Sequence, residues 1–382
     1  MSSKNHVEQT ADLGQSIWLD YLDREFIASG ELKTMIDAGI RGITSNPSIF
    51  QEAIAEGGDY DDDIAELVAE GKDDKEIYEA MAVADIQHAA DLLAPVYIES
   101  KKLDGYISLE ANPDLAYDTE ATIEEVRRLH KAVNRPNLMI KVPATSAGIP
   151  AIATLISEGI NINITLMFSL THYDRVADAY LRGLEERLAD GFDIDHVASV
   201  ASFFVSRVDT AVDEQLDELN NDAAAALKGK IGIANAKMAY TRYLNVFSSK
   251  RWQNLAAHGA RPQRVLYGST SVKNPNYPDT MYADHLIGAN TVNTLPLETI
   301  KKFNDHGTVA PALTTQLEKA RSQLVQLGNL GIDLERITQQ LQDDGVTKFA
   351  DAFSDLMAAI RRARTEEQQK QETLQPEPVL ED

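Results

Sequence analysis

The chain has 382 residues, 43% of them hydrophobic, and a formal charge of −24 at pH 7, which argues against binding to the negatively charged backbone of nucleic acids. It has no cysteine, so disulfides, thiolate metal sites and cysteine nucleophiles are excluded. No apolar segment approaches the ~20 residues of a membrane span, and the polar N-terminus lacks the apolar core of a signal peptide, so a cytoplasmic enzyme is expected.

Short apolar segments alternate with helical patterns along most of the chain. The eight predicted strands are Ser16–Asp20, Gly42–Asn46, Gly105–Asn112, Leu138–Ala144, Asn161–Phe168, Val197–Val205, Arg264–Ser269 and Asp284–Ala289. Strands that alternate with helices predict a parallel sheet, and eight such units predict an α/β protein with a (β/α)8 (TIM) barrel. An open doubly wound sheet is the alternative, but no G-x-G-x-x-G motif follows the first strand.

Helix start signals and regions outside a minimal barrel complete the predicted organisation. Ser29, Asp118 and Ser169 stand where N-caps are expected, and Pro150 suits the first turn of a helix. An acidic helical insertion is predicted at about 57–100, and C-terminal helices at about 311–364 are predicted to pack outside the barrel. We expect one barrel domain over 1–364, followed by a disordered acidic tail at 365–382.

Lys141 lies within the apolar segment Leu138–Pro143, which is typical of a buried strand. A buried ammonium loses its hydration, so it needs a charged partner, or it releases its proton and becomes a neutral amine. A neutral amine can attack a carbonyl group and form a Schiff base. A structural ion pair, or a lysine that extends its head to the strand end, is the alternative, and Lys141 considered alone favours it.

In a (β/α)8 barrel the active site lies at the C-terminal ends of the strands. Here those ends carry an amine, two carboxylates, several hydroxyls and amides, and outer cations. These residues are Asp20, Thr44, Asn46, Glu110, Asn112, Lys141, Asn163, Thr165, Ser202, Arg207, Ser269, Ser271 and Lys273. Together they predict a site for a phosphorylated polyhydroxy carbonyl compound.

Four segments, in order along the chain, resemble motifs of the transaldolase family. They are Gly42–Phe50 (T-S/T-N-P-S/T), Leu138–Pro143 (the strand of the Schiff-base lysine), Gly159–Ser169 (G-I-x-x-N-x-T-L-x-F-S) and Ala201–Arg207 (S-x-F-V-x-R). Val292–Pro296 extends the similarity toward the C-terminus. The resemblance implies a transaldolase of the pentose phosphate pathway that uses no cofactor and no metal.

The resemblance also implies a role for each matching residue. Lys141 would attack the C2 carbonyl of a ketose phosphate, which is sedoheptulose 7-phosphate or fructose 6-phosphate. Glu110 and Thr165 would position a water that moves protons, and Asp20 would take the proton of the C4 hydroxyl. The dihydroxyacetone unit would stay on Lys141 until glyceraldehyde 3-phosphate or erythrose 4-phosphate accepts it. The implied substrate-binding residues are Thr44, Asn46, Asn163, Ser202, Phe204, Arg207, Ser269 and Lys273.

The chain departs from better-known family members after the seventh predicted strand. Those members have a serine and an arginine in an S-x-R segment, whereas this chain has Ser269-Thr270-Ser271-Val272-Lys273. Lys273 is therefore the predicted second phosphate contact. Its ammonium would act as a point charge, whereas the guanidinium of an arginine would offer two parallel N–H donors. The expected partners are phosphorylated sugars, with no nucleic acid and no membrane, and the expected state is a monomer or a homodimer.

Two alternatives to transaldolase activity are open. Fructose-6-phosphate aldolases share the fold and the lysine, but they carry glutamine where Glu110 stands and tyrosine where Phe204 stands. These two residues therefore favour transfer of the three-carbon unit over its release. A non-catalytic barrel that binds sugar phosphates should have lost Lys141, Asp20 or Glu110, and none of them is missing.

Overall fold

The computed structural model describes residues 4–45 and 58–374. Eight parallel strands form a closed barrel, in which each strand pairs with the next along the chain and the eighth pairs with the first. The strands are β1 Gln15–Asp20, β2 Gly42–Thr44, β3 Tyr106–Glu110, β4 Leu138–Pro143, β5 Ile162–Met167, β6 Ser199–Phe204, β7 Arg264–Gly268 and β8 Thr291–Leu295. The predicted (β/α)8 barrel is confirmed.

Helices follow most of the strands and cover the outside of the barrel. In the described ranges they are α1 His6–Asp12, α2 Arg24–Ala28, α3 Glu31–Asp37, α4 Asp61–Ala69, α5 Asp74–Glu99, α6 Thr119–Val133, α7 Gly148–Ser157, α8 Leu170–Ala189, α9 Ser206–Leu219, α10 Asp222–Ala225, α11 Ile231–Val246, α12 Lys250–Ala256, α13 Met281–His285, α14 Leu297–His306, α15 Leu317–Asn329 and α16 Leu334–Leu374. None of these helices combines the length and apolar character that crossing a membrane requires.

Strand side chains alternate between the inside and the outside of the barrel, because successive residues of a strand point to opposite faces. On β1, Ile17 and Leu19 pack outward in the core shared with the helices, whereas Trp18 packs with inward-facing residues of the other strands. A Cβ atom on Gly42 of β2 would lie 2.5 Å from the Trp18 indole, so only glycine fits there. This apolar group fills the N-terminal half of the barrel and leaves the inward positions of the other half to polar residues.

The predicted position of the eighth strand is wrong. Asp284 lies in α13, and the strand begins only at Thr291, directly after Asn290, whose φ is +57°. Leu286 and Ile287 are fully buried, but they lie between α13 and β8 and pack into the main core. Burial without strand structure explains the error, since apolar character alone does not distinguish the two.

The N-cap prediction for Ser29 is also wrong. Asp23 accepts a hydrogen bond from Phe26 N and begins α2, and Ser29 ends that helix. The next helix starts after Gly30, whose φ of +82° suits a residue without a side chain. The other predicted helix-start residues lie where expected, namely Asp118, Pro150 and Ser169.

Contrary to the prediction that the C-terminal helices pack outside the barrel, α16 lies across the C-terminal ends of β4 and β5. Gln342 Nε2 of α16 donates hydrogen bonds to Ala144 O at 3.0 Å and to Leu166 O at 2.9 Å. The helix also continues to Leu374, inside the segment predicted to be disordered. Its last turns are held by a hydrogen bond from Gln371 Nε2 to Ala65 O of α4. Residues 375–382 lie outside the described part of the chain.

Candidate active site

Lys141 lies near the C-terminal end of β4, inside the mouth of the barrel. Its Nζ donates hydrogen bonds to Glu110 Oε2 and to Ser45 O, both at 3.2 Å, and the residue is only 7% exposed. Glu110 is the register partner of Lys141 on β3. Burial raises the pKa of Glu110, although the ammonium of Lys141 opposes the shift. The pair therefore places an amine beside a carboxylate that is more basic than an exposed one.

A second carboxylate belongs to Asp20, the last residue of β1. Thr44 Oγ1 donates a hydrogen bond of 2.7 Å to Asp20 Oδ1, because the two residues are register partners on β1 and β2. Asp20 and Thr44 line the same cavity as Lys141. The hydroxyl fixes one carboxylate oxygen, and this geometry suits a group that accepts a proton from a bound molecule.

The hydroxyl of Thr165 on β5 is buried without a protein partner. Thr165 has no exposed surface, and its Oγ1 makes no hydrogen bond with any of the residues that the structure describes. Thr165 also lines the cavity, and its register partner on β4 is Pro143. Buried hydroxyls usually have a hydrogen-bond partner. The Thr165 hydroxyl can therefore bind a water or a substrate group in the cavity that it shares with Lys141.

Asn163 lies one layer deeper than Thr165, level with Lys141 in the register of β4 and β5. Its Nδ2 donates to Ser108 Oγ at 2.9 Å, and its Oδ1 accepts from Ser202 Oγ at 2.7 Å. Asn163 is completely buried, whereas Ser202 lines the cavity. In this geometry the amide holds the Ser202 hydroxyl in place from beneath.

The cavity that joins these groups has a volume of about 620 Å³ and three cations on its rim. The cations are Arg207, Lys273 and Lys348, which come from α9, the segment after β7, and α16. The Arg207 guanidinium lies 5.2 Å from the centre of the Phe204 ring and makes no ion pair with any residue in the described ranges. Burial lowers the pKa of Arg207, and the carboxylates of Asp20 and Glu110 oppose the shift.

Ser269 closes the rim between β7 and α9. Its Oγ lies 2.9 Å from Ser206 Oγ, and its carbonyl accepts from Ser206 N at 3.2 Å. The φ of Ser269 is +53°, an uncommon conformation for a residue with a side chain. Ser206 is the first residue of α9, so this contact fixes the start of the helix that carries Arg207.

Sequence reasoning missed the wall that α16 contributes to the cavity. Leu341, Asp344, Lys348 and Phe349 line it, and the Phe349 ring lies 5.7 Å from Lys141 Nζ. One signal for this packing was present, namely Gly345 in the middle of a helical pattern. A Cβ atom there would lie 2.8 Å from Leu166 Cδ2 on β5, so the glycine permits close contact between helix and barrel.

Asn46, with the rest of its motif after Ser45, lies outside the residues that the structure describes. The structure brings all but one of the other predicted site residues together around the cavity at one end of the barrel: Asp20, Thr44, Glu110, Lys141, Asn163, Thr165, Ser202, Phe204, Arg207, Ser269, Ser271 and Lys273. The exception is Asn112, whose Oδ1 accepts from Asp114 N at 3.0 Å and caps the short turn after β3.

A family profile described as transaldolase/fructose-6-phosphate aldolase matches residues 17–360 of the chain. The chain belongs to the transaldolase/fructose-6-phosphate aldolase family. A protein named transaldolase from Trichodesmium erythraeum is 48% identical over 367 residues, which is 93% of this chain and 97% of the relative. A transaldolase from Thiobacillus denitrificans is 46% identical over 357 residues, which is 93% of this chain and 99% of the relative. The predicted transaldolase resemblance is thus confirmed.

Asp209 supports α9 of this transaldolase-family barrel from behind, two residues after Arg207. Its Oδ1 accepts from Gly232 N at 2.7 Å, and its Oδ2 accepts from Tyr282 OH at 2.9 Å. Burial raises the pKa of Asp209 to about 7, although both hydrogen bonds oppose the shift. In the unfolded chain an aspartate has a pKa of about 4.

We expect Asp209→Asn to stabilise the fold at pH 8 relative to wild type, but not at pH 4. Between about pH 4 and pH 7 the folded wild type retains a proton that the unfolded chain has lost, so its free energy of unfolding falls as pH rises. Asparagine removes this dependence and still accepts from Gly232 N. Urea denaturation at several pH values should show a relative gain of roughly 2–4 kcal/mol across this window. The exposed Asp59, changed to asparagine, is the control. A difference that is the same at every pH would contradict the prediction.

Proposed function

We propose that this chain is a transaldolase, which moves a dihydroxyacetone unit from a ketose phosphate to an aldose phosphate. The observation that carries the proposal is the buried amine of Lys141, 3.2 Å from Glu110 at the mouth of a (β/α)8 barrel. Relatives that are 46–48% identical over more than nine-tenths of the chain carry the name transaldolase. The donor is sedoheptulose 7-phosphate or fructose 6-phosphate, and the acceptor is glyceraldehyde 3-phosphate or erythrose 4-phosphate.

In the first half-reaction the neutral amine of Lys141 attacks the donor's C2 carbonyl. Glu110 accepts the amine proton, and a water held by Glu110 and the unpartnered Thr165 hydroxyl carries protons while the carbinolamine loses water. Asp20 then takes the proton of the C4 hydroxyl, and the C3–C4 bond breaks. Its electron pair moves into the iminium, the aldose phosphate leaves, and an enamine of dihydroxyacetone remains on Lys141.

In the second half-reaction the enamine attacks the aldehyde of the acceptor, and a new C3–C4 bond forms. Asp20 returns its proton to the new C4 hydroxyl, and water hydrolyses the iminium to free Lys141. Thr44 orients Asp20, and Asn163 orients Ser202 toward the hydroxyls of the bound fragment. Asn46 also binds these hydroxyls. Covalent retention of the fragment implies ping-pong kinetics.

The phosphate of either sugar fits the cationic rim of the cavity. Arg207 is partly buried and has no ion pair among the described residues, so its fork of N–H groups is free for a phosphate. Ser269 and Lys273 are the second contact on this rim, and the exposed Lys348 faces the same cavity from α16. The proposal also includes the cytoplasmic location and the monomeric or homodimeric state that we expect from the sequence.

Aldolase activity is the alternative within the same family. A tyrosine hydroxyl near the bound enamine could help to protonate it, so that free dihydroxyacetone is released. Phe204 lines the cavity at the corresponding position, and its ring packs 5.1 Å from Phe168 and has no proton to donate. Glu110 is a carboxylate instead of an amide. Both residues support transfer over release.

The test is the release of glyceraldehyde 3-phosphate from fructose 6-phosphate, with and without erythrose 4-phosphate. Sustained release that requires the acceptor is the result expected of a transaldolase. Sustained release without the acceptor would identify an aldolase. The non-catalytic barrel would be favoured if fructose 6-phosphate released no glyceraldehyde 3-phosphate in either case. In addition, sedoheptulose 7-phosphate would have to release no erythrose 4-phosphate when glyceraldehyde 3-phosphate is the acceptor.

Arg207→Ala is expected to raise KM for fructose 6-phosphate about 10–100-fold, because it removes charge-assisted hydrogen bonds to the phosphate. The kcat/KM for unphosphorylated fructose should change far less, because fructose has no group for Arg207 to bind. Steady-state kinetics with both donors separate the two effects. Lys273→Ala and Lys348→Ala should have smaller effects, since both lysines are exposed. Equal losses for both donors in Arg207→Ala would exclude a phosphate contact.

A further inference from the structure

A second pocket lies on the outside of the barrel, between the first turns of α11 and α15. We call it the lysine pocket, and it is defined by Lys230, Ala234, Lys237, Thr315, Lys319 and Ala320. Its volume is about 390 Å³, within the range of small-molecule sites. It shares no lining residue with the active-site cavity.

The charge of the lysine pocket is opposite to that of the chain. Lys230, Lys237 and Lys319 line it, and no aspartate or glutamate is among its described lining residues, although the chain as a whole has a charge of −24. The three carboxylates that are next in sequence to lining residues of the pocket have other partners. Asp279 pairs with Lys302 and His306. Asp284 accepts from Thr280 Oγ1 and Thr308 N, and Glu318 pairs with Arg321.

Lys237 is the most unusual member of the group. It is only 6% exposed, and its Nζ donates to Thr315 O at 2.9 Å, with no ion pair to any residue in the described ranges. Burial lowers the pKa of Lys237, and the charge of Lys319 lowers it further. Buried lysines usually have an anionic partner, because an unpaired buried charge is costly. An anion bound in the pocket would supply that partner.

The start of α15 adds to the positive potential of the pocket. This helix has thirteen residues, and no side chain caps its first N–H groups. Gln316, Lys319 and Ala320 of its first turn line the pocket. The N-terminus of a helix carries partial positive charge and free N–H donors, which suit phosphate. The start of α11 contributes less, because Asp209 already accepts from Gly232 N.

We propose that the lysine pocket binds a phosphorylated small molecule, at a site separate from the sugar-phosphate cavity. The buried Lys237 and the two exposed lysines would bind the phosphoryl oxygens, with help from the start of α15. The proposal concerns binding and does not depend on the transaldolase activity.

Isothermal titration calorimetry, with inorganic pyrophosphate added to the full chain, tests the proposal by measuring the affinity and the stoichiometry of binding. In an Arg207→Ala background, which weakens phosphate binding in the active-site cavity, one equivalent of pyrophosphate should still bind. Adding Lys230→Glu and Lys319→Glu should weaken this binding at least tenfold. Both lysines are exposed, so these changes should leave the fold intact. Lys237→Met should weaken binding by a similar factor, with circular dichroism as the check on folding.

The control is Lys131→Glu, which makes the same charge change as Lys230→Glu or Lys319→Glu alone, at an exposed lysine of α6. It should leave the affinity within about twofold. The proposal is overturned if Arg207→Ala alone abolishes binding of pyrophosphate. It is also overturned if Lys131→Glu weakens the binding as much as Lys230→Glu alone or Lys319→Glu alone does, since the effect would then reflect net charge alone.

Discussion

Lys141→Met is expected to lower transfer of the three-carbon unit by a factor of at least about 10⁴, because Lys141 carries the one buried amine among the described residues that line the cavity, whereas Lys273 and Lys348 are exposed on its rim. Methionine has a similar volume and no nucleophilic nitrogen. Its effect on the fold should be small, because burial already raises the pKa of Glu110 and the carboxyl can take up a proton once its cationic partner is gone.

Two measurements check this result. The first is the rate of glyceraldehyde 3-phosphate release in the presence of erythrose 4-phosphate. The second is mass spectrometry after borohydride reduction with fructose 6-phosphate, which should show an adduct on the wild type and none on Lys141→Met. Lys131→Met, at an exposed position on α6, should retain full activity. Turnover or an adduct in the purified Lys141→Met protein would exclude Lys141 as the Schiff-base residue.

Asp20→Asn is expected to lower the transfer rate about 10²–10⁴-fold while it permits imine formation. An asparagine can keep the hydrogen bond from Thr44 Oγ1, so the geometry at the end of β1 should survive. It cannot accept the proton of the C4 hydroxyl, so the C3–C4 bond should remain intact.

Borohydride trapping distinguishes this block from a loss of binding. On Asp20→Asn the trapped adduct should contain the whole six-carbon donor and its phosphate, whereas the wild type should also yield the three-carbon fragment. The control is Asp59→Asn, at an exposed position outside the cavity. A variant that traps nothing would assign Asp20 to an earlier step, and one that traps only the three-carbon fragment would show that another base cleaves the bond.

Most of the barrel could be predicted because strand and helix periods are local properties of the sequence. The inward positions of each strand follow from a period of two, so Asp20, Thr44, Glu110 and Lys141 could be assigned to one end of the barrel before any contact was known. The eighth strand was misplaced because its apolar content is low. Thr291, Asn293 and Thr294 are buried polar residues, and they obscured the strand pattern.

Gly345 indicates close packing of α16, but the barrel face that α16 covers could not be predicted, because it depends on contacts between residues far apart in sequence. Gln342 reaches Ala144 and Leu166, and no local pattern indicates which barrel face a C-terminal helix will cover. The supporting role of Asn163 could not be predicted for a similar reason. Its hydrogen bonds join it to Ser108 on β3 and to Ser202 on β6, and only the assembled barrel reveals that it supports Ser202.

The pairing of β1 with β8 has a consequence for the synthesis of the protein. Gln15 pairs with Thr291, so a nascent chain cannot close the barrel until nearly three hundred residues have been made. The wall that α16 adds to the cavity is made later still. A ribosome-bound chain can therefore hold every strand and Lys141 before it has a complete cavity, so premature termination before α16 would leave Lys141 uncovered on that side.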